Sequence, residues 1–118
     1  GDLTLSNILI DPAGPYIVLI DFLDSFIETP LMDMVKLRQD TAHAWSMLIY
    51  GGDYPSARLQ KIMAEMDASF DAHFKKNPAY AEYYSHFQLL SLLRILPYIK
   101  EGRLIGTIAT SIAQELGG

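Results

Sequence analysis

No cysteine occurs among the 118 residues, which excludes disulfides and thiolate metal sites and leaves the redox compartment unread. Positive charge is scarce, with 9 Lys and Arg against 14 Asp and Glu and a net charge of −5. A general nucleic-acid binder carries the opposite balance, so no nucleic-acid partner is expected. An anionic substrate is still compatible, because the local field of a bound metal ion can oppose the net sign. No apolar run approaches the roughly 20 residues of a membrane span, so no membrane partner and a cytoplasmic location are expected. What is present is ordinary globular composition, half apolar and 19% charged, enough for one domain over residues 1–118 with its own core.

The pattern along the chain predicts an α+β, mainly α, fold: one β-hairpin followed by about four helices. Asn7-Ile8-Leu9-Ile10 and Tyr16-Ile17-Val18-Leu19-Ile20 are rich in β-branched residues. Asp11-Pro12-Ala13-Gly14-Pro15 between them has turn chemistry, so the two runs read as a hairpin. Residues 22–29 read as a loop. Thr29-Pro30 then starts a helix, with Thr29 as N-cap, that should run to about Tyr50 and stop at Gly51-Gly52. Leu31, Val35, Ala42, Trp45 and Ile49 form its apolar stripe, while Asp33, Lys36, Asp40 and His43 share the opposite face. Arg38 interrupts the stripe and needs a carboxylate, for which Glu28 or another acid near the loop is the expected source. A second helix should begin at Pro55 or Ser56 and end before Asn77-Pro78. A third spans about Ala79 to Lys100, kinked or closed by Pro97, and the last covers residues 103–116.

The first 21 residues hold the chemistry. A hairpin brings its two ends together, so Asn7 at the start of one strand and Asp21 at the end of the other should lie side by side. Both offer hard oxygen atoms, which suit Mg²⁺ better than a transition metal. Asp2 stands five residues before Asn7, and Phe22 follows Asp21.

These residues resemble the catalytic loop and metal-binding segment of the kinase-fold phosphotransferases, within them the aminoglycoside phosphotransferase and choline kinase group. The loop of that group reads His-Gly-Asp-Leu-x-x-x-Asn-Ile-Leu, and Gly1 to Leu9 matches all of it but the His. Ile20-Asp21-Phe22 continues the match, and Thr29-Pro30-Leu31-Met32-Asp33 is similar to the group's Asp-Pro-x-x-Asp segment. The likeness covers about the first third of the chain. It implies Asp2 as catalytic base toward an acceptor hydroxyl, Asn7 and Asp21 as ligands of Mg²⁺ on the phosphates of ATP, and Asp33 as a structural acid bracing the catalytic loop. Leu23 departs from the glycine common after Asp-Phe. Only eight residues separate Asp21 from Pro30, and no Ala-Pro-Glu occurs. A peptide-binding segment is thus absent, and a small-molecule hydroxyl acceptor such as an aminoglycoside, sugar or choline-like alcohol is implied.

Other residues have plainer readings. Asp24 reads as a solvated loop acid. His43, His73 and His86 fall on three predicted helices with no His-x-x-x-His pair, so no zinc site is expected. Tyr80, Tyr83, Tyr84 and Phe87 suit core packing better than an aromatic pocket for a cationic acceptor. Asp53, Glu65, Asp67, Asp71 and Glu82 read as solvated helix surface. The alternative to an enzyme is a non-catalytic helical module that retains a kinase-like scaffold and binds partners through its last two helices.

The chain opens inside the loop, and we read it as a C-terminal lobe fragment whose upstream part would carry the phosphate-gripping loop and lysine. The uncovered surface should favour a homodimer. The isolated 118 residues should give no phosphoryl transfer above background in a coupled ADP-release assay. Robust turnover would overturn the fragment reading.

Overall fold

A computed structural model describes residues 3–21, 27–50 and 56–117. A 3-10 turn at Leu5–Asn7 leads into β1 (Ile8–Ile10) and β2 (Ile17–Leu19). Five helices follow: α1 (Pro30–His43), α2 (Trp45–Tyr50), α3 (Ser56–Phe74), α4 (Pro78–Ile95) and α5 (Gly102–Gly117), with a 3-10 turn at Leu96–Tyr98 before the last. The fold is mainly helical with one two-stranded antiparallel sheet. Among the described residues no helix is long and apolar enough to cross a membrane.

Local chemistry sets the boundaries. In the hairpin turn Asp11 Oδ1 accepts the Ala13 N–H at 2.9 Å, and the register pairs Ile8 with Leu19, Leu9 with Val18 and Ile10 with Ile17. Thr29 Oγ1 accepts the Leu31 N–H and Pro30 takes the first helical position, as the sequence led us to expect. Asn77 and Pro78 repeat that device at the start of α4, where Asn77 Oδ1 accepts the Ala79 N–H at 3.0 Å. Pro97 does not kink α4. The α-helix ends at Ile95 and Pro97 lies in the 3-10 turn beyond it.

One helix was expected from Pro30 to Tyr50, and two are found. The break is at Ala44, whose φ of 54° and ψ of 33° are left-handed. An L-residue with a Cβ resists that region by about 1–2 kcal/mol. The compensation comes from Asp40, whose carboxylate accepts both the backbone N–H (2.9 Å) and the hydroxyl (2.5 Å) of Ser46 in the first turn of α2. Ala44 has no side-chain oxygen to cap α2. Asp40 supplies that oxygen from the preceding helix.

Helix α1 is the axis of the molecule. It packs against α2, α3 and α4, and α5 closes on α4. Its apolar residues Leu31, Met32, Val35 and Leu37 are buried, but so are Gln39, Asp40, Thr41 and His43. Of the polar face opposite the apolar stripe, Asp40 and His43 are buried while Asp33 and Lys36 are half-buried. Each buried polar side chain reaches a different neighbour: Thr41 the α3 residue Asp67 (2.8 Å), Gln39 the α4 residue Ser91 (2.6 Å), and His43 the α5 residue Glu115 (3.2 Å). Beside this polar axis Leu92, Ile95 and Ile108 form the apolar core between α4 and α5, with Trp45, Leu96, Ile99 and Ile112 packed against it.

Among the described residues Arg38 is partnered from α3 and α4, not from Glu28. Its Nε and Nη2 form a bidentate pair with Asp67 at 2.8 and 2.7 Å, and Nη1 donates to Asp71 at 2.8 Å and to the Tyr80 hydroxyl at 3.0 Å. The guanidinium also lies 4.5 Å from the Tyr84 ring centroid. Burial opposes the Arg38 charge, but the Asp67 and Tyr80 hydrogen bonds and the nearby carboxylates outweigh it and raise its pKa. Burial likewise works against ionised Asp71, yet Lys75 and Arg38 hold its carboxyl below the usual range. The Tyr80 hydroxyl is pushed up to about 12, chiefly by burial.

Arg38→Met strips the counter-charge from two partly buried carboxylates and should lower the unfolding free energy in urea by about 3–5 kcal/mol. A loss under about 1 kcal/mol would show that the cluster does not brace the fold. The pH dependence has a defined sign. Asp71 has a depressed folded pKa, so its contribution is present above the unfolded value near ~3.9 and is lost as pH falls through the folded one. Tyr80 resists ionisation, so its contribution holds below about pH 10 and is lost as pH rises toward about 12. Denaturant melts across both limbs, repeated on Tyr80→Phe, should show the alkaline limb flattened in the variant.

Candidate functional site

The hairpin and the turn before it carry the residues singled out by sequence. Thr4 is buried, and its carbonyl accepts the Asn7 N–H at 3.1 Å, closing the 3-10 turn. Its hydroxyl lies 2.8 Å from that of Ser6. The turn is fastened to α1 where the Leu5 N–H donates to Asp40 Oδ2 at 2.7 Å. Asp40 is 1% exposed and holds this turn with one carboxylate oxygen and the start of α2 with the other.

Asn7, half-buried, ends the turn and begins the ladder. Its carbonyl accepts the Ile20 N–H at 3.0 Å, one step beyond the Ile8–Leu19 pair. The hairpin therefore closes with Asn7 directly across from Ile20, and Asp21 follows one residue later. Asp21 leaves the strand with a φ of 57°, in the left-handed region, and is exposed. Asp is among the few side chains that accept this region, and such residues gather at functional sites. Asp33 lies half-buried in the first turn of α1. Asp2, Phe22, Leu23, Asp24 and Asp53 lie outside the described residues.

Asp40 was not singled out by sequence. It lies two turns beyond Asp33 on the same helix and hydrogen-bonds the loop backbone at Leu5. A signal was available: Leu37 precedes Asp40 by one helical turn, so an apolar neighbour shares its face. An acid on a face with a buried leucine asks for internal partners.

The sequence read the acids of α3 as solvated surface, but Asp67 and Asp71 are turned inward and paired with Arg38. They line a groove of about 440 Å³ with Thr41, Ala42, Met47 and Met63. Their oxygens are, however, already engaged by Arg38, Thr41, Tyr80 and Lys75. Tyr80 is buried and packs edge-on against Phe74 and tilted against Tyr84, with ring centroids 5.4 and 5.0 Å away. Tyr84 lies over Arg38, so Tyr80 and Tyr84 take the packing role expected of them, while Tyr83 is exposed.

The donor set at the open end of the hairpin is all oxygen. Among the described residues no three His, Asp or Glu side chains gather as a metal cluster. A divalent ion here would rest on Asn7 and Asp21 together with phosphate oxygens and water, the usual situation for Mg²⁺ beside a nucleotide. Their oxygen chemistry is of the kind that suits such an ion. No protein-family model, curated protein or solved structure matches the chain.

Asp40→Asn replaces one accepting oxygen with a donor, which must then face either Leu5 N–H or the two donors of Ser46. The substitution should cost about 2–3 kcal/mol of stability. Ser46→Ala, which removes only one of those donors, should cost about 1 kcal/mol. Urea melts of both variants check this ordering. Equal costs would mean that the loop bond to Asp40 carries no weight.

Proposed function

We propose that this chain is the C-terminal catalytic-lobe portion of an ATP-dependent kinase that phosphorylates a hydroxyl group on a small molecule. One observation carries the reading. The Ile20 N–H to Asn7 carbonyl bond closes the hairpin and leaves Asn7 and Asp21 at the same open end. Two further features support it: the left-handed backbone at Asp21, and a preceding turn held to α1 by a buried carboxylate.

In this reading Asp2 accepts the proton of the acceptor hydroxyl as that oxygen forms its bond to the γ-phosphorus of ATP. The bond from that phosphorus to the ADP oxygen breaks, and ADP leaves. Asn7 and Asp21 would hold Mg²⁺, which would neutralise charge on the nucleotide phosphates. Asp40 fixes the backbone of Leu5, midway between Asp2 and Asn7 in the sequence, and so holds the loop that bears both. Catalysis is then mostly positioning and charge stabilisation, with no covalent intermediate on the protein.

The test uses a chain extended upstream to include nucleotide-gripping elements. Asp21→Ala should abolish Mg²⁺-dependent ATP binding in titration calorimetry. Asp2→Asn should leave that binding in place while lowering kcat by about 10²–10⁴-fold. Wild-type protein that binds no nucleotide at millimolar Mg²⁺ would favour the non-catalytic scaffold instead.

A further inference from the structure

The hairpin is apolar on both faces and largely uncovered. Leu9, Ile10, Tyr16, Ile17, Val18, Leu19 and Ile20 are each 40 to 73% exposed. Five of the seven, Tyr16 to Ile20, lie on or beside β2, so the exposed apolar surface follows that strand.

The hydrogen-bond pattern shows which edge is available. Antiparallel ladders alternate bonded and non-bonded pairs. Bonds at Asn7/Ile20 and Asp11/Tyr16 make Leu9/Val18 the bonded pair between them. Ile8/Leu19 and Ile10/Ile17 are therefore the non-bonded pairs, and their backbone groups point out of the hairpin. On β1 the Ile8 N–H is taken by the Leu5 carbonyl. On β2 the outward N–H and C=O of Ile17 and Leu19 have no partner among the described residues.

Natural edges are blunted by charges or proline along the strand. Residues 16–20 carry neither, since Pro15 and Asp21 stand just outside them.

From this we infer that β2 pairs with β2 of a second copy of this chain, antiparallel about a two-fold axis at Val18, to form a four-stranded sheet. In that register Ile17 faces Leu19 of the copy, and each such pair exchanges two backbone bonds. Val18 meets its own copy in a non-bonded pair, the closer of the two spacings at about 4.5 Å between Cα atoms. The arrangement is self-complementary, as a two-fold interface requires. It also aligns like with like: Leu9 and Val18 continue into Val18 and Leu9 of the copy on one face, and Ile10 and Ile17 continue into Leu19 and Ile8 on the other. No charge faces its own copy across the axis. Asp21 falls opposite Pro15, so the two acids stay apart. A second copy fits this edge because the same short apolar segment supplies both halves.

Since the chain has no cysteine, a single introduced thiol reports unambiguously. Val18→Cys should form an interchain disulfide under mild oxidation at least about tenfold faster than Ile10→Cys, which is more exposed but lies on the other strand. Sedimentation velocity should show the wild type passing from monomer to dimer between micromolar and millimolar concentration. Val18→Lys places two cations on the axis. Ile17→Pro removes an outward donor without touching the inner ladder. Both should remain monomeric with unchanged helical circular dichroism. A wild type that stays monomeric throughout, equal crosslinking rates for the two cysteine variants, or a dimer that survives both Val18→Lys and Ile17→Pro would overturn the inference. The cysteine pair keeps the test decisive even where a lysine or proline variant fails to fold.

Discussion

One buried carboxylate joins the turn before the hairpin to α1 and α2. Asp40 accepts the Leu5 N–H on one oxygen and both donors of Ser46 on the other. The first bond fixes the turn leading into the hairpin, and the second allows a helix to start where Ala44 provides no cap. A neutral side chain of the same shape offers only one acceptor and cannot serve both. The loop, the end of α1 and the start of α2 therefore share a single electrostatic anchor. A buried charge of this kind is stabilising only while each of its donors is in place.

Around that anchor the protein builds a polar axis where a small domain would ordinarily place hydrocarbon. Between Arg38 and His43, α1 sends a guanidinium to α3, an amide to α4, a carboxylate to the loop and α2, a hydroxyl to α3 and an imidazole to α5. Hydrogen bonds are directional in a way that apolar contact is not. This axis therefore specifies how each neighbouring element is oriented, while Met32, Val35, Leu92 and Ile108 supply the non-directional burial. The division of labour explains how α1 can be central with so few apolar residues.

The same axis accounts for what could be read from sequence and what could not. Caps, turns and strand runs are local, and Thr29-Pro30, the hairpin turn and the Asn77-Pro78 boundary were legible for that reason. Pairing of Asn7 with the end of the second strand was legible to within one residue, because turn chemistry fixes register. Helical periodicity alone set Asp40 and His43 on the face opposite the apolar stripe, since it sorts residues by polarity and cannot see a partner 35 or 72 residues away. The break at Ala44 was invisible for the same reason, as its cause lies four residues earlier in a side chain that looks like surface. Arg38 was recognised as needing an acid, but spacing gave no means to choose α3 over the loop.

The left-handed backbone at residue 21 narrows which amino acids could ever stand there. Glu would bring the same charge but tolerates that conformation poorly, and Gly would satisfy the chain while offering no oxygen. Asn and Asp alone answer both demands, and only Asp adds a negative charge. On the proposed reading, substitution at this point is filtered twice, by the torsion angle and by the ligand chemistry, so drift should be confined to a two-letter alphabet.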